Sequence, residues 1–139
     1  KNLYKMIAIS LPVHHNWNDG QLQKLKDING VAEVVFTTDQ QLEIGLHELI
    51  LDVISQILIV FNEIELNSSI LVKKFEINNL SCDGCANSAM RILKNQIGIY
   101  FSHVSFLDKS ASICYDESLI SSSELKNVVA QLGYDLVID

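Results

Sequence analysis

The sequence predicts an α+β fold built twice over: two tandem β-α-β-β-α-β units, each a four-stranded antiparallel sheet with two helices on one face. Three observations predict it. The halves align at a single offset, since His14 and Cys82 are 68 positions apart, as are Gly30 and Gly98. Each half opens on an apolar run, continues with apolar residues at helical spacing, and then gives two β-rich stretches split by polar residues. With 48% apolar and 19% charged residues in 139, the chain has the material for packed cores and is unlike a disordered polymer. The repeat divides the chain at 1–68 and 69–139, overriding the single domain that length alone suggests. The join Asn67-Ser68-Ser69 is short, so the units are expected to lie packed together.

The elements follow in order. Tyr4 to Ser10 and Ile70 to Ile77 read as opening strands. Leu22, Leu25 and Ile28 mark one face of a first helix; Ala86, Met90, Leu93 and Ile97 mark its counterpart. Val31 to Thr38 and Ile99 to Leu107 are rich in β-branched and aromatic residues, as strands require. Polar turns at Asp39-Gln40-Gln41 and Asp108-Lys109-Ser110 lead into Leu42 to Leu46 and Ala111 to Tyr115. The second helix of the later half runs from about Ser122 to Leu132, with Leu125, Val128, Val129 and Leu132 on one face and a capping box from Ser121 to Glu124. Glu63 to Leu66 and Tyr134 to Ile138 close the halves. Strands and helices in this order make the ferredoxin-like arrangement.

One segment exceeds what a single buried face needs. From Ile50 to Phe61 the apolar residues cover nearly the whole helix circumference. Such a helix calls for cover on a second side, from the other unit or from a second chain. A buried strand over part of this run is the competing reading.

Bulk properties narrow the function. A net charge of −7 leaves nothing to neutralise phosphates and argues against nucleic acid and anionic membrane surfaces. It is compatible with docking to a basic partner. Three cysteines, an odd number with one close pair, point to free thiols in a reducing compartment, expected to be the cytoplasm. No signal peptide or membrane segment is recognisable in this chain, because Asp52, Ser55 and Gln56 interrupt its longest apolar stretch. The chain starts at Lys1, as a processed form or a fragment of a longer protein would.

The chemistry concentrates at Cys82 and Cys85, three residues apart where a strand meets a helix. Thiolates are soft ligands, and a pair of them suits Cu(I), which accepts two-coordinate binding. Structural zinc normally takes four protein ligands, so a lone pair closes that shell only with a second chain. At a helix N-terminus, unpaired N–H groups favour the thiolate. Asp83 and Gly84 are small and flexible enough for the loop to bring both sulfurs together. A thiol-disulfide redox site is the alternative from another class, although the Trp and Pro usual around such thiols are missing here. Two inert structural thiols are the third possibility.

The pair has company. Cys82-Asp83-Gly84-Cys85 is followed by Gly98 sixteen positions after Cys82, by Tyr115-Asp116 after the third strand, and by Gly133-Tyr134 in the last loop. In this pattern residues 70–139 resemble the heavy-metal-associated domain of copper chaperones and of the cytosolic tails of metal-pumping ATPases, and residues 1–68 resemble a degenerate copy. The resemblance implies a surface site at Cys82 and Cys85 for one soft ion, Cu(I) first, with Zn(II), Ag(I) or Hg(II) as others. It implies trafficking, delivery or sensing of that ion with no catalytic step. Implied partners are a metal-transporting ATPase, a related metal-binding domain, or a second copy sharing the ion in a homodimer. A regulatory module of a larger transporter is the related alternative. Leu80 takes the place of the family's usual Met beneath the metal loop, Asn79 that of a Gly, and Gly98-Ile99 that of Gly-Val. Tyr134 matches an aromatic residue near the metal, and Ser81, Asp83 and Gly84 complete the loop around it.

The remaining candidates are weaker. Cys114 falls in the predicted third strand, on the opposite face from Ile113 and Tyr115, and reads as inert. In the first half, Val13-His14-His15-Asn16-Trp17 stands where the metal loop would be, with His14 at the place of Cys82 and Trp17 at that of Cys85. Imidazoles of His14 and His15 are potential ligands for a borderline metal, but adjacent residues seldom converge on one ion and Trp17 offers no ligand. That loop is expected to have lost metal binding. His47 and His103 are isolated. No phosphate-binding glycine loop, catalytic triad or Asp-Lys-Thr-Gly segment is present.

Overall fold

The computed structural model describes residues 7–47 and 51–138. The expected strand start at Tyr4 and the first helical residue at Ile50 lie outside them. The chain divides into two compact units, residues 1–68 and 69–139, taken here one at a time.

In the first unit, β1 (Ile7–Pro12), α1 (Asp19–Lys26), β2 (Val31–Phe36), β3 (Gln41–Leu46) and α2 (Leu51–Ile64) follow in order. The strands pair antiparallel in the order β1-β3-β2. Period-two alternation buries Ile9 and Leu11 of β1 and Leu42 and Ile44 of β3. Asn18 and Gln21 form a reciprocal capping box that starts α1. Helix α2 buries Val53, Ile54, Ile57, Leu58 and Phe61. That spacing is helical and excludes the competing strand. Ile59, on its outer side, is 63% exposed.

The fourth strand expected at Glu63 to Leu66 is not found among the described residues. Glu63 and Ile64 complete α2, and the Glu65 N–H still donates to the Phe61 carbonyl at 2.8 Å. The apolar helical period runs on to Phe61, and the turn after it holds Glu65 inward, 3% exposed.

The second unit has the full pattern: β4 (Ile70–Asn78), α3 (Asp83–Lys94), β5 (Ile99–Ser105), β6 (Ser110–Asp116), α4 (Ser122–Ala130) and β7 (Asp135–Val137). Its antiparallel sheet has the order β5-β6-β4-β7. One core cluster unites Ala86, Ala89 and Leu93 of α3 and Leu125, Val128 and Val129 of α4 with Phe75, Ile77, Ala111, Ile113, Tyr115 and Leu136 of the sheet. Both helices therefore cover one sheet face. The Ser121–Glu124 capping box forms as expected. Two apolar positions expected on helix faces lie outside them: Ile97 is 83% exposed beyond the Asn95 cap, and Leu132 is 40% exposed after α4 ends.

The repeat has a physical basis at its glycines. Gly30 and Gly98 both follow a first helix with φ of +107° and +95°. A Cβ on Gly30 would meet Val53 Cγ2 at 2.8 Å, and one on Gly98 would meet Leu119 Cβ at 3.0 Å. Left-handed backbone and close approach together demand glycine at both places.

Candidate metal site

Strand β4 ends at Asn78, and four residues later Cys82 caps α3. Its backbone is extended, and its Sγ accepts the Cys85 N–H at 3.2 Å, as a serine hydroxyl would at an N-cap. Asp83 and Gly84 are already helical. This corrects the flexible loop expected there: the first turn of α3 itself aligns the two cysteines. A Cβ on Gly84 would lie an ordinary 3.7 Å from Cys82 Sγ, so no steric need for glycine exists at this point.

The two sulfurs stand 2.7 Å apart and both cysteines are free thiols. Cys82 is exposed and Cys85 half-buried. Ser81 Oγ lies 3.5 Å from Cys85 Sγ. The Cys85 thiol is lowered to about 6, first by its hydrogen bond with Cys82, then by those with Ser81 and the Tyr134 side chain. The same contact with Cys85 raises the Tyr134 phenol above its usual range. Cys85 is thus a thiolate at neutral pH, flanked by hydroxyl donors. Beneath the loop, Leu80 is 8% exposed and belongs to the core cluster, anchoring the approach to α3. Ser81, Cys82, Gly84 and Cys85 thus lie together at the start of α3, with Asp83 in its first turn and Leu80 in the core beneath.

Cys114 lies apart in β6, fully buried, its thiol pushed up to about 12 by that burial. A buried neutral thiol is inert.

Glu65 engages the His15 imidazole and the His14 backbone. His15 Nδ1 lies 2.8 Å from Glu65 Oε2, the Trp17 Nε1–H donates to that same oxygen at 3.0 Å, and the His14 backbone N–H donates to Glu65 Oε1 at 2.9 Å. Trp17 stacks on Phe61 with ring centroids 5.7 Å apart. Among the described residues, no group of three or more His, Cys, Asp or Glu side chains converges as a metal site. Sequence reasoning missed Glu65, which lies 48 positions from Trp17. The available signal was an acidic residue at the end of a strongly apolar helix, paired by the repeat with Gly133.

The heavy-metal-associated domain family matches residues 74–135. A copper-transporting ATPase (HMA5) of Oryza sativa subsp. japonica is 27% identical over 111 residues, 80% of this chain and 11% of the rice protein. The copper chaperone CopZ of Staphylococcus aureus is 28% identical over 61 residues, 44% of this chain and 90% of CopZ. The N-terminal soluble domains of Bacillus subtilis CopA share the fold over 99% of this chain and 97% of theirs, with TM-score 0.52 at 20% identity. Among the described residues, no helix is long and apolar enough to cross a membrane.

Proposed function

Residues 74–135 are a heavy-metal-associated domain, and on that premise we propose that Cys82 and Cys85 bind one soft ion, Cu(I), and pass it to a second thiol site. The observation that carries this reading is the pair of sulfurs, 2.7 Å apart at the start of α3. Sulfur donors of this softness favour Cu(I) over hard cations. An exposed pair leaves room for an incoming thiolate to join the ion before an old ligand departs, so exchange needs no bare metal. The partner of such an exchange is a related metal-binding domain, as in a metal-transporting ATPase. The first unit binds no metal and serves structure or docking.

The rice ATPase match supports a second reading at the level of the whole protein. It spans 111 residues, more than one unit can supply. On that reading the two units are a metal-receiving region of a larger copper transporter. The test of the shared claim is anaerobic Cu(I) titration against a colorimetric chelator. The parent chain takes up one equivalent, and Cys82→Ser with Cys85→Ser takes up none. Equal uptake by both would refute the assignment.

A further inference from the structure

The two sheets differ by one strand, and the difference leaves an edge open. In the second unit β7 lies along β4, pairing Glu76 with Val137 and Asn78 with Asp135. In the first unit β1 pairs with β3 alone among the described residues. Helix α2 runs for 14 residues where α4 has 9. The positions that match β7 at the repeat offset, 67 to 69, join α2 to β4 instead. The register says which groups the open edge presents. The Val13 N–H donates to the Gln40 carbonyl at 3.0 Å, so Val13, and by alternation Leu11 and Ile9, turn their backbone groups toward β3. Ala8 and Ser10 turn theirs outward, as Glu76 and Asn78 at the same repeat positions do toward β7. The side chains of Ala8 and Ser10 are exposed, and Ile9 between them is buried.

Native sheets guard their edges with charge, bulges or brevity. Strand β7 has three residues. Strand β2 carries Glu33 and shifts register beside it, and β5 shifts register between Ile99 and Phe101. Strand β1 keeps an unbroken register over six residues with no charged side chain, and only Pro12 at its end lacks an N–H. We infer that the outer edge of β1 docks β1 of a second copy of this chain, antiparallel about a two-fold axis at Ile9. Within Ile7–Pro12, this register sets the two outward residues against each other. Ala8 faces the second copy's Ser10, and Ser10 faces its Ala8, which gives four backbone hydrogen bonds. Both facing side chains are small and uncharged, so the strands close without conflict. A register centred on Ser10 would instead oppose Ala8 to Pro12 and lose a bond. Two three-stranded sheets become one of six strands. The edge is short, and half-association is expected at about 0.1–1 mM. Nothing in this pairing depends on the thiols or on metal.

Sedimentation equilibrium on the metal-free, reduced full chain tests it at physiological ionic strength. The parent is expected to shift from monomer toward dimer with concentration, and Cys82→Ser with Cys85→Ser to do the same. Ala8→Glu with Ser10→Glu opposes like charges at both pairs and is expected to weaken association by about 10-fold. Ala8→Lys with Ser10→Glu opposes unlike charges in the same register and is expected to associate at least as tightly as the parent. Both positions are exposed, and Trp17 fluorescence verifies that the first unit stays folded. Hydrogen exchange at the Ala8 and Ser10 amides is expected to slow as the parent is concentrated. A parent that stays monomeric across this range would overturn the proposal, whether or not the edge takes a foreign peptide. So would a dimer indifferent to both charge pairs, which would lie on another surface, or one weakened equally by both, which would have another register. Loss of association in the double serine variant would assign the dimer to the thiols.

Discussion

The indole of Trp17 donates to the buried carboxylate of Glu65 at 3.0 Å, at the repeat position that Cys85 holds in the second unit. The same carboxylate takes the His14 N–H and pairs with His15. Glu65 thus organises the first unit's loop from within, and His14 and Trp17 stand where the second unit has its thiol pair.

This arrangement predicts a stability effect confined to the first unit. Glu65→Ala strands the buried Trp17 N–H and removes the acceptor of the part-buried His14 N–H, and is expected to cost about 1–3 kcal/mol. Glu65→Gln retains an accepting oxygen and costs less. Trp17 is the single tryptophan, so urea unfolding followed by its fluorescence reads this unit selectively. A midpoint unmoved by Glu65→Ala would mean the carboxylate holds nothing.

Thiol reactivity should separate the three cysteines. Cys85 is lowered to about 6, so its thiolate is present above that pH and is lost as pH falls through it. In metal-free protein, alkylation of Cys85 by iodoacetamide, mapped by mass spectrometry, is expected to have its midpoint near pH 6. Ser81→Ala and Tyr134→Phe each remove a donor to the sulfur and move the midpoint upward. Cys114, buried and raised to about 12, should stay unmodified until the protein unfolds. A Cys85 midpoint at the free-thiol value would contradict the hydrogen-bond account.

The helix-to-strand turns make a third prediction. Gly98→Ala forces a side chain into left-handed backbone and against Leu119 and Ile120, and is expected to destabilise by about 1–3 kcal/mol. Gly84→Ala, in helical backbone with an ordinary contact to Cys82, should leave folding unharmed. Thermal melts of the two variants check this, and equal losses would remove the distinction.

Much of this was legible in the sequence because the signals were local. The Ser121–Glu124 box, the Gly98 turn and the thiol pair at a helix start each depend on residues within a few positions of one another, and each is found where expected. The failures lie where a long-range contact or an early helix end overrides the local pattern. Glu63 to Leu66 had the length of a last strand, but the helix before it continues and Glu65 is drawn inward by partners 48 and 51 positions away. Ile97 kept the helical spacing of α3 yet lies past the cap at Asn95, where no face remains to bury it. The contact of the Asn79 side chain with the Gly133 carbonyl, 54 positions away, was hidden in the same way. The departure of Asn79 from glycine is visible in the sequence, but its bond to Gly133 is not.

The central claim, that Cys82 and Cys85 are the ligands of one soft ion, is tested most directly by X-ray absorption at the copper edge on chain loaded anaerobically with one equivalent of Cu(I). A shell of sulfur alone around the metal, lost in Cys82→Ser with Cys85→Ser, is the predicted result. A shell dominated by nitrogen, surviving that double substitution and abolished by replacing His14 and His15, would contradict it.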